Sequence, residues 1–433
     1  MTSKLIPNIA LSFIAIIASS ALPLNTAIAL EKSPTSLKSN FLLTQTTSNS
    51  ISTEKIKQVA KNQNATLVQY SLLNEETQES ELAIWVIKPT GEITMRRIDL
   101  KAWQQKEKTS LVELITKTRN QIGVGSNYNK GIITVSGESR EKPSPKSWKQ
   151  LHQVLIQPIA DLLPKQPEER VIFIPQNQLF LVPFAALQDN NSKYLIEKHT
   201  ISTAPSVQAL DLLYQRKIKR QGEQSFVPGN MKGDELLIVG NPTAPKVSLK
   251  PGENPFQLSS MPGAEQEAKA IAEMFTTEAL TGNEATETAI LERMPQAKII
   301  HLATHTVELN NSNVIALAAS NQDDGWLSVE EIQKLNLKAD LVVLSAENTA
   351  LGKITGDGVM GLSRAFFVAG ADSVVGTLWE ANDMTMAFLM TEFYGSLSKN
   401  TGKAGALRQA MLETMKKYPN PRDWAGFTLV GLL

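Results

Sequence analysis

Two short apolar runs in this 433-residue chain end in residues able to do chemistry. The first closes as Ile300-His301-Leu302-Ala303-Thr304-His305, the second as Leu341-Val342-Val343-Leu344-Ser345-Ala346-Glu347-Asn348-Thr349. Histidine is the side chain suited to moving protons near neutral pH. If the two runs are neighbouring strands, His305 and Glu347 emerge at one sheet edge. A nucleophile beside a histidine base at adjacent strand ends is the layout of a nucleophilic hydrolase. Downstream, Thr355-Gly356-Asp357-Gly358 reads as the opening of a helix over 359–369. Its free N–H groups would favour an anion or a developing oxyanion at the same edge, with Asp357 capping the helix start.

Two chemistries for these residues need weighing. Ser345 or Thr349 could supply a hydroxyl nucleophile, with His305 as base and Glu347 as its orienter. Ser345 stands on the strand itself, where a buried serine bonded to a backbone carbonyl is the plainer role. His301, His305, Glu308 and Glu347 together offer the donor types of a divalent metal site. On a strand, however, residues four apart are separated by roughly 13 Å, too far to share one ion unless the chain turns. No metal and no cofactor is expected.

The chain has 43 Lys+Arg against 43 Asp+Glu and no cysteine. A disulfide framework, a thiolate metal site, a cysteine nucleophile and a lipoprotein anchor are all excluded. Zero formal charge leaves no electrostatic case for nucleic acid as a ligand. A hydrophobic fraction of 42% with 20% charged residues is that of a folded protein. Lys4, the apolar stretch 9–22, Pro23 and Ala27-Ile28-Ala29 form an export-signal pattern, with cleavage expected after Ala29. That stretch is short of a bilayer span. Export to the periplasm or beyond the cell is therefore expected, with no membrane contact after the signal is removed. Residues 30–52, rich in Ser, Thr and Asn, read as a linker.

The elements that must position the chemistry follow. In a front lobe, 53–230, residues 54–62 suggest a helix, and 82–88 and 92–100 a hairpin about Pro89-Thr90-Gly91. Helices are expected over 110–122, with Ser110 as N-cap, and over 147–163; strands over 170–175 and 179–184. Pro228-Gly229-Asn230 marks a boundary. In the second lobe, 231–433, the runs 235–240, 298–303, 340–345 and 372–378 are almost continuously apolar, as parallel strands buried on both faces are. Helical stretches over 263–275, 284–293, 359–369, 384–397 and 403–416 separate them. Strands alternating with helices imply an α/β sandwich whose working residues lie beyond the carboxyl ends of the strands.

Several motifs in order then resemble one family. RVIFIPQNQLFLVPFAALQ (170–188), YLIEKHTISTAPS (194–206), MPGAEQEAKAIA (261–272), IIHLATH (299–305), LVVLSAENT (341–349), ITGDGVMGLSRAFFVAGADSVVGTLW (354–379) and NPRDWAGFTLVG (420–431) are similar to the CHAT family, caspase-like domains related to separases. The resemblance covers about 54–433. It implies a caspase-like α/β/α sandwich with a mainly parallel sheet, preceded by a smaller α+β pseudo-caspase-like lobe. It also implies a proteolytic His–Cys pair. His305 matches the histidine, but Glu347 stands at the cysteine, Thr306 replaces the following glycine, and the loop 307–313 is short. A carboxylate is a poor peptide-bond nucleophile. The resemblance therefore implies a catalytically inactive protease homologue that binds a protein or peptide, of unassigned oligomeric state. On the same grounds Asp357, Trp379 and Asp383 line the binding groove. Asn348 stands where active relatives often carry an acid, against recognition of basic residues.

Overall fold

A computed structural model describes residues 51–75, 78–122, 145–220, 228, 231, 233–248, 254–309, 312–346, 353–355, 358–379 and 381–433. The front half runs α1 (Thr53–Gln63), β1 (Ala65–Glu75), β2 (Gln78–Ile87), β3 (Ile93–Asp99), α2 (Leu100–Glu107), α3 (Leu111–Gln121), α4 (Pro145–Leu155), β4 (Arg170–Ile174), α5 (Leu195–Lys198), β5 (Thr200–Thr203) and α6 (Val207–Arg220). The second half begins with β6 (Leu236–Pro242), α7 (Pro262–Met274), β7 (Leu280–Gly282), α8 (Glu287–Arg293) and β8 (Ile299–Ala303). It continues through β9 (Thr306–Leu309), β10 (Ser312–Ala316), β11 (Trp326–Ser328), α9 (Val329–Lys334), β12 (Leu341–Leu344), β13 (Lys353–Thr355) and β14 (Gly358–Met360). It closes with α10 (Leu362–Ala369), β15 (Ser373–Thr377), α11 (Asp383–Leu397), α12 (Lys403–Lys417), α13 (Pro421–Trp424) and β16 (Phe427–Gly431).

Among the described residues, eleven strands form one sheet in the order β3-β2-β1-β4-β5-β16-β15-β12-β8-β6-β7. Its pairings are mainly parallel; the antiparallel ones are β1–β2, β2–β3 and β15–β16. Both faces are covered. Alternate residues of β6, β8 and β12, among them Leu237, Ile300 and Val342, pack under α8, α9 and α10. The intervening Ile238, Ile299 and Val343 pack under α7, α11 and α12. That is why the four runs expected as parallel strands read as apolar throughout. Each fully buried aliphatic side chain contributes about 1.5–3 kcal/mol by leaving water.

Local chemistry explains most element boundaries. Ser110 caps α3 in a reciprocal capping box with Glu113. Asn64 ends α1 in the left-handed region. Three expectations are corrected. Residues 179–184 are not a strand: Asn177, with φ +50°, turns the chain into two 3₁₀ segments, Asn177–Leu181 and Phe184–Ala186, which bury Leu179, Phe180 and Phe184. The helix over 147–163 stops at Leu155, ahead of a 3₁₀ turn. The helix expected from 359 begins only at Leu362, because Gly358–Met360 pairs antiparallel with Lys353–Thr355.

The two halves meet where β16 pairs with β5 at Val430 and Thr203, beside a Thr203–Thr428 hydroxyl bond of 3.2 Å. Arginines lock this junction by donating to carbonyls across it. Arg408 donates to Ile196 O and Glu197 O, each at 2.9 Å. Arg216 donates to Phe367 O at 2.7 Å and to Ala371 O, and Arg220 pairs with the buried Asp372 carboxylate. Burial brings the Arg216 pKa down to about 10 despite Asp372. No described helix is long and apolar enough to cross a membrane.

His199 lies at the same junction, after α5 and near Arg408. Burial first, then the charges of Lys198, Arg408 and His152, push its pKa down to about 4. An imidazole that stays neutral when folded but titrates near 6.5 when unfolded binds more protons in the unfolded state as pH falls below 6.5. Its contribution is thus constant above pH 6.5 and turns increasingly unfavourable between 6.5 and about 4. The loss of stability to urea between pH 7 and pH 5 should be about 1–2 kcal/mol larger in wild type than in His199→Gln, after allowance for partial screening, the other titrating groups being common to both proteins.

Candidate functional site

The site lies beyond the carboxyl ends of β6, β8, β12 and β15. β8 is held in parallel register by β12 (Leu302 opposite Leu344) and by β6 (Ala303 opposite Gly240). His305 follows Leu302 by three residues as Glu347 follows Leu344, and Leu302 and Leu344 stand at one level of the sheet. Glu347, Asn348, Thr349 and Asp357 themselves lie outside the described residues. Asp357 falls between β13 and β14, ahead of the start of α10 at Leu362, so it does not open that helix.

His305 is half-buried. Its carbonyl accepts from Ala316 N at 3.0 Å, and Thr304 Oγ1 donates to Ala316 O at 2.6 Å. The backbone of the histidine is thereby tied to β10. The ring is tied separately: Nε2 stands 2.8 Å from Ser259 O. A carbonyl only accepts, so Nε2 carries the proton in this bond and Nδ1 is the nitrogen left for other partners. Ser259 precedes α7, and its part in the site rests on a main-chain oxygen. No side-chain pattern announces such a partner.

His301 points elsewhere. Its ring is buried between Tyr394, whose hydroxyl is 3.2 Å from Nδ1, and Glu267, whose Oε1 is 3.0 Å from Nε2. Burial, with the Glu267 charge, raises the Tyr394 pKa well above 10. Since His301 turns into the core and His305 toward Ser259, the two imidazoles do not converge on one ion. Ser345 is 1% exposed, its hydroxyl has no hydrogen-bond partner among the described residues, and its N–H donates to Leu302 O at 3.0 Å. It stands one residue past β12, buried and not open to substrate, and it lacks the backbone-carbonyl bond expected of a buried serine there.

The two other groove residues expected from sequence are committed within the fold. Trp379 is 1% exposed, donates Nε1–H to Arg422 O at 3.0 Å, and packs against Gly426, where a Cβ would come within 3.0 Å of the indole nitrogen. Its ring belongs to the core and presents no face to a ligand. Arg119, from α3, reaches the end of the same strand, donating to Leu378 O at 3.0 Å with its guanidinium 5.9 Å from the Trp379 ring. Asp383 Oδ2 accepts the Gly263 N–H at 2.6 Å at the start of α7, so this carboxylate closes a helix terminus against α11. Gly263 is required there, because a Cβ would meet the carboxylate at 2.6 Å.

A mainly parallel sheet between two helical layers, with a histidine oriented at its carboxyl edge beside the end of the neighbouring strand, defines a protein of caspase-like fold. The CHAT domain family model matches residues 145–432, well over half of the chain, and the chain belongs to that family. Tetratricopeptide repeat protein 28 of Homo sapiens is 26% identical over 325 residues, covering 65% of this chain and 13% of its own length; the Mus musculus protein gives the same figures. The chain thus spans only a small part of these relatives. Among solved structures, the Saccharomyces cerevisiae separase–securin complex is similar at a TM-score of 0.50 and 12% identity, over 87% of this chain and 30% of the other. The Arg-specific cysteine proteinase gingipain R matches at 0.43 and 11%, over 76% of each chain. These likenesses concern the fold.

A folded sample treated with a fluorophosphonate probe should remain unlabelled, because the Ser345 hydroxyl is enclosed. Labelling that mass spectrometry maps to Ser345, and that disappears in Ser345→Ala, would show an active hydroxyl.

Proposed function

We propose that this chain is an exported, catalytically silent member of the CHAT family that acts by binding a protein or peptide segment at the carboxyl edge of its parallel strands. One observation carries the reading: the ring of His305 is still held in place, by Ser259 O at 2.8 Å, in a chain with no cysteine to serve it. The thiolate is the species that makes such a pair nucleophilic near neutral pH. With Glu347 at that position, the retained scaffold is suited to holding a segment rather than cutting it. The enclosed Ser345 disfavours the alternative of a hydrolase using that hydroxyl; Thr349, its other candidate nucleophile, lies outside the described residues. That the separase of similar fold was solved with a protein, securin, is consistent with a polypeptide ligand. No electrostatic excess favours nucleic acid.

The test is a peptide-library assay on wild type, Glu347→Cys and His305→Ala. Wild type should cleave nothing, and Glu347→Cys should gain cleavage that is lost again when His305→Ala is added. Cleavage by wild type that His305→Ala abolishes would overturn the reading. Export is supported by the pattern Lys4, 9–22 and Ala27-Ile28-Ala29. Intact-mass analysis of the secreted or periplasmic protein should find Leu30 as the first residue, and an uncleaved Met1 chain retained in the cytoplasm would count against export.

A further inference from the structure

We infer that Asn241 is the positioning residue for His305, acting through the segment Ser259-Ser260-Met261 to decide which imidazole nitrogen carries the proton and which keeps its lone pair. Asn241 follows Gly240, the last residue of β6 in register with β8, and sits in the left-handed region with φ +50°. Asparagine tolerates that conformation better than most residues. It turns the side chain away from the strand and onto the segment that leads into α7.

Every polar capacity of that side chain is spent there. Oδ1 accepts the Met261 N–H at 2.8 Å and lies 3.4 Å from the Ser260 hydroxyl. Nδ2 donates to Ser260 Oγ at 3.2 Å and to Glu265 Oε2 at 3.1 Å. The segment is pinned again two residues further on, where Asp383 takes the Gly263 N–H, and on its other side, where Gln257 Nε2 donates to Ala244 O at 2.6 Å. Between these anchors stands Ser259, whose carbonyl receives His305 Nε2–H at 2.8 Å. The underlying contact of α7 with β6 depends on Gly240, since a Cβ there would fall 2.4 Å from Ala264 O.

The chemical consequence follows from the acceptor. A carbonyl can bind only a protonated ring nitrogen, so a carbonyl held at Nε2 selects the Nε2–H tautomer and leaves Nδ1 as the lone-pair nitrogen. Without the clamp, Ser259 O is one point on a chain with freedom to move, and the two neutral tautomers of a half-buried imidazole coexist. Asn241 touches neither the ring nor any ligand; its effect passes entirely through the backbone. The inference deepens the reading of this edge as the binding site. Its test uses no ligand, so failure of the binding proposal and failure of this one are distinguishable.

The experiment is a long-range ¹H–¹⁵N correlation spectrum of the full chain carrying ¹⁵N-histidine. Only four histidines contribute, and His305 is assigned by its loss in His305→Gln. Wild type above the titration of the ring should show a single Nε2–H pattern for His305. Asn241→Gly suits the left-handed backbone and removes only the side chain. It should convert that pattern to a tautomer average, while the signals of His152, His199 and His301 stay in place. Asn241→Asp combined with Glu265→Gln, which keeps the acceptor for Met261 N–H and replaces the facing carboxylate by an amide, should restore most of the Nε2–H character. A folded Asn241→Gly protein with the wild-type His305 pattern would overturn the inference. So would an averaged pattern in the double variant equal to that in Asn241→Gly.

Discussion

The parallel pairing of β8 with β12 is the constraint from which the rest of the site follows. Leu302 opposite Leu344 fixes how far each strand runs before leaving the sheet, and so fixes which residues share the edge beyond it. A slip of one residue would exchange the faces of a whole strand, moving His301 from its place between Glu267 and Tyr394 to the opposite helical layer. Burial on both faces makes that slip costly, because the polar ring would lose its partners while apolar neighbours lost their packing. The register is therefore secured by residues that never meet a ligand. The catalytic-type positions inherit it.

Among the described residues, the hydrogen bonds that hold His305 are made with main chain. Ala316 N–H holds its carbonyl, Ser259 O holds its ring, and the side chains that organise these contacts, Thr304 and Asn241, do so by bonding other backbone groups. The junction between the two halves leans on main chain as well, with Arg119, Arg216 and Arg408 donating to carbonyls beside the Arg220–Asp372 pair. Backbone groups are insensitive to which side chain they belong to. Support of this kind orients the His305 ring without any cysteine, of which the chain has none.

The same fact sets how much was legible in the sequence. The four apolar runs that became β6, β8, β12 and β15 were readable because two-sided burial leaves no polar alternation, and His305 was readable from its place after one of them. β1 was not, since Ala-Thr-Leu-Val-Gln-Tyr-Ser-Leu-Leu carries apolar residues on both parities, without the turn signals that isolate the central strands. Residues 179–184 have strand composition, yet the left-handed Asn177 and the fixed φ of Pro183 favour successive tight turns. Thr355-Gly356-Asp357-Gly358 reads as a helix entrance, yet Gly358–Met360 pairs with Lys353–Thr355 and the helix starts only at Leu362. Trp379 and Asp383 sit where a groove was expected by position, but their side chains close internal contacts. Ser259 was invisible because every residue has a carbonyl.

One consequence of the strand order concerns how the molecule assembles. β16 is the last strand in the sequence order, yet it lies in the middle of the sheet, between β5 and β15. Thr428 meets Thr203 across 225 residues of chain. Until β16 inserts, the front strands and the second-half strands are two separate sheets, each with an open edge at the place where they will join. Pairings so distant in sequence form late and slowly, and open edges invite pairing with other chains in the meantime. The continuity that makes the finished sheet a single body is thus also its kinetic weak point.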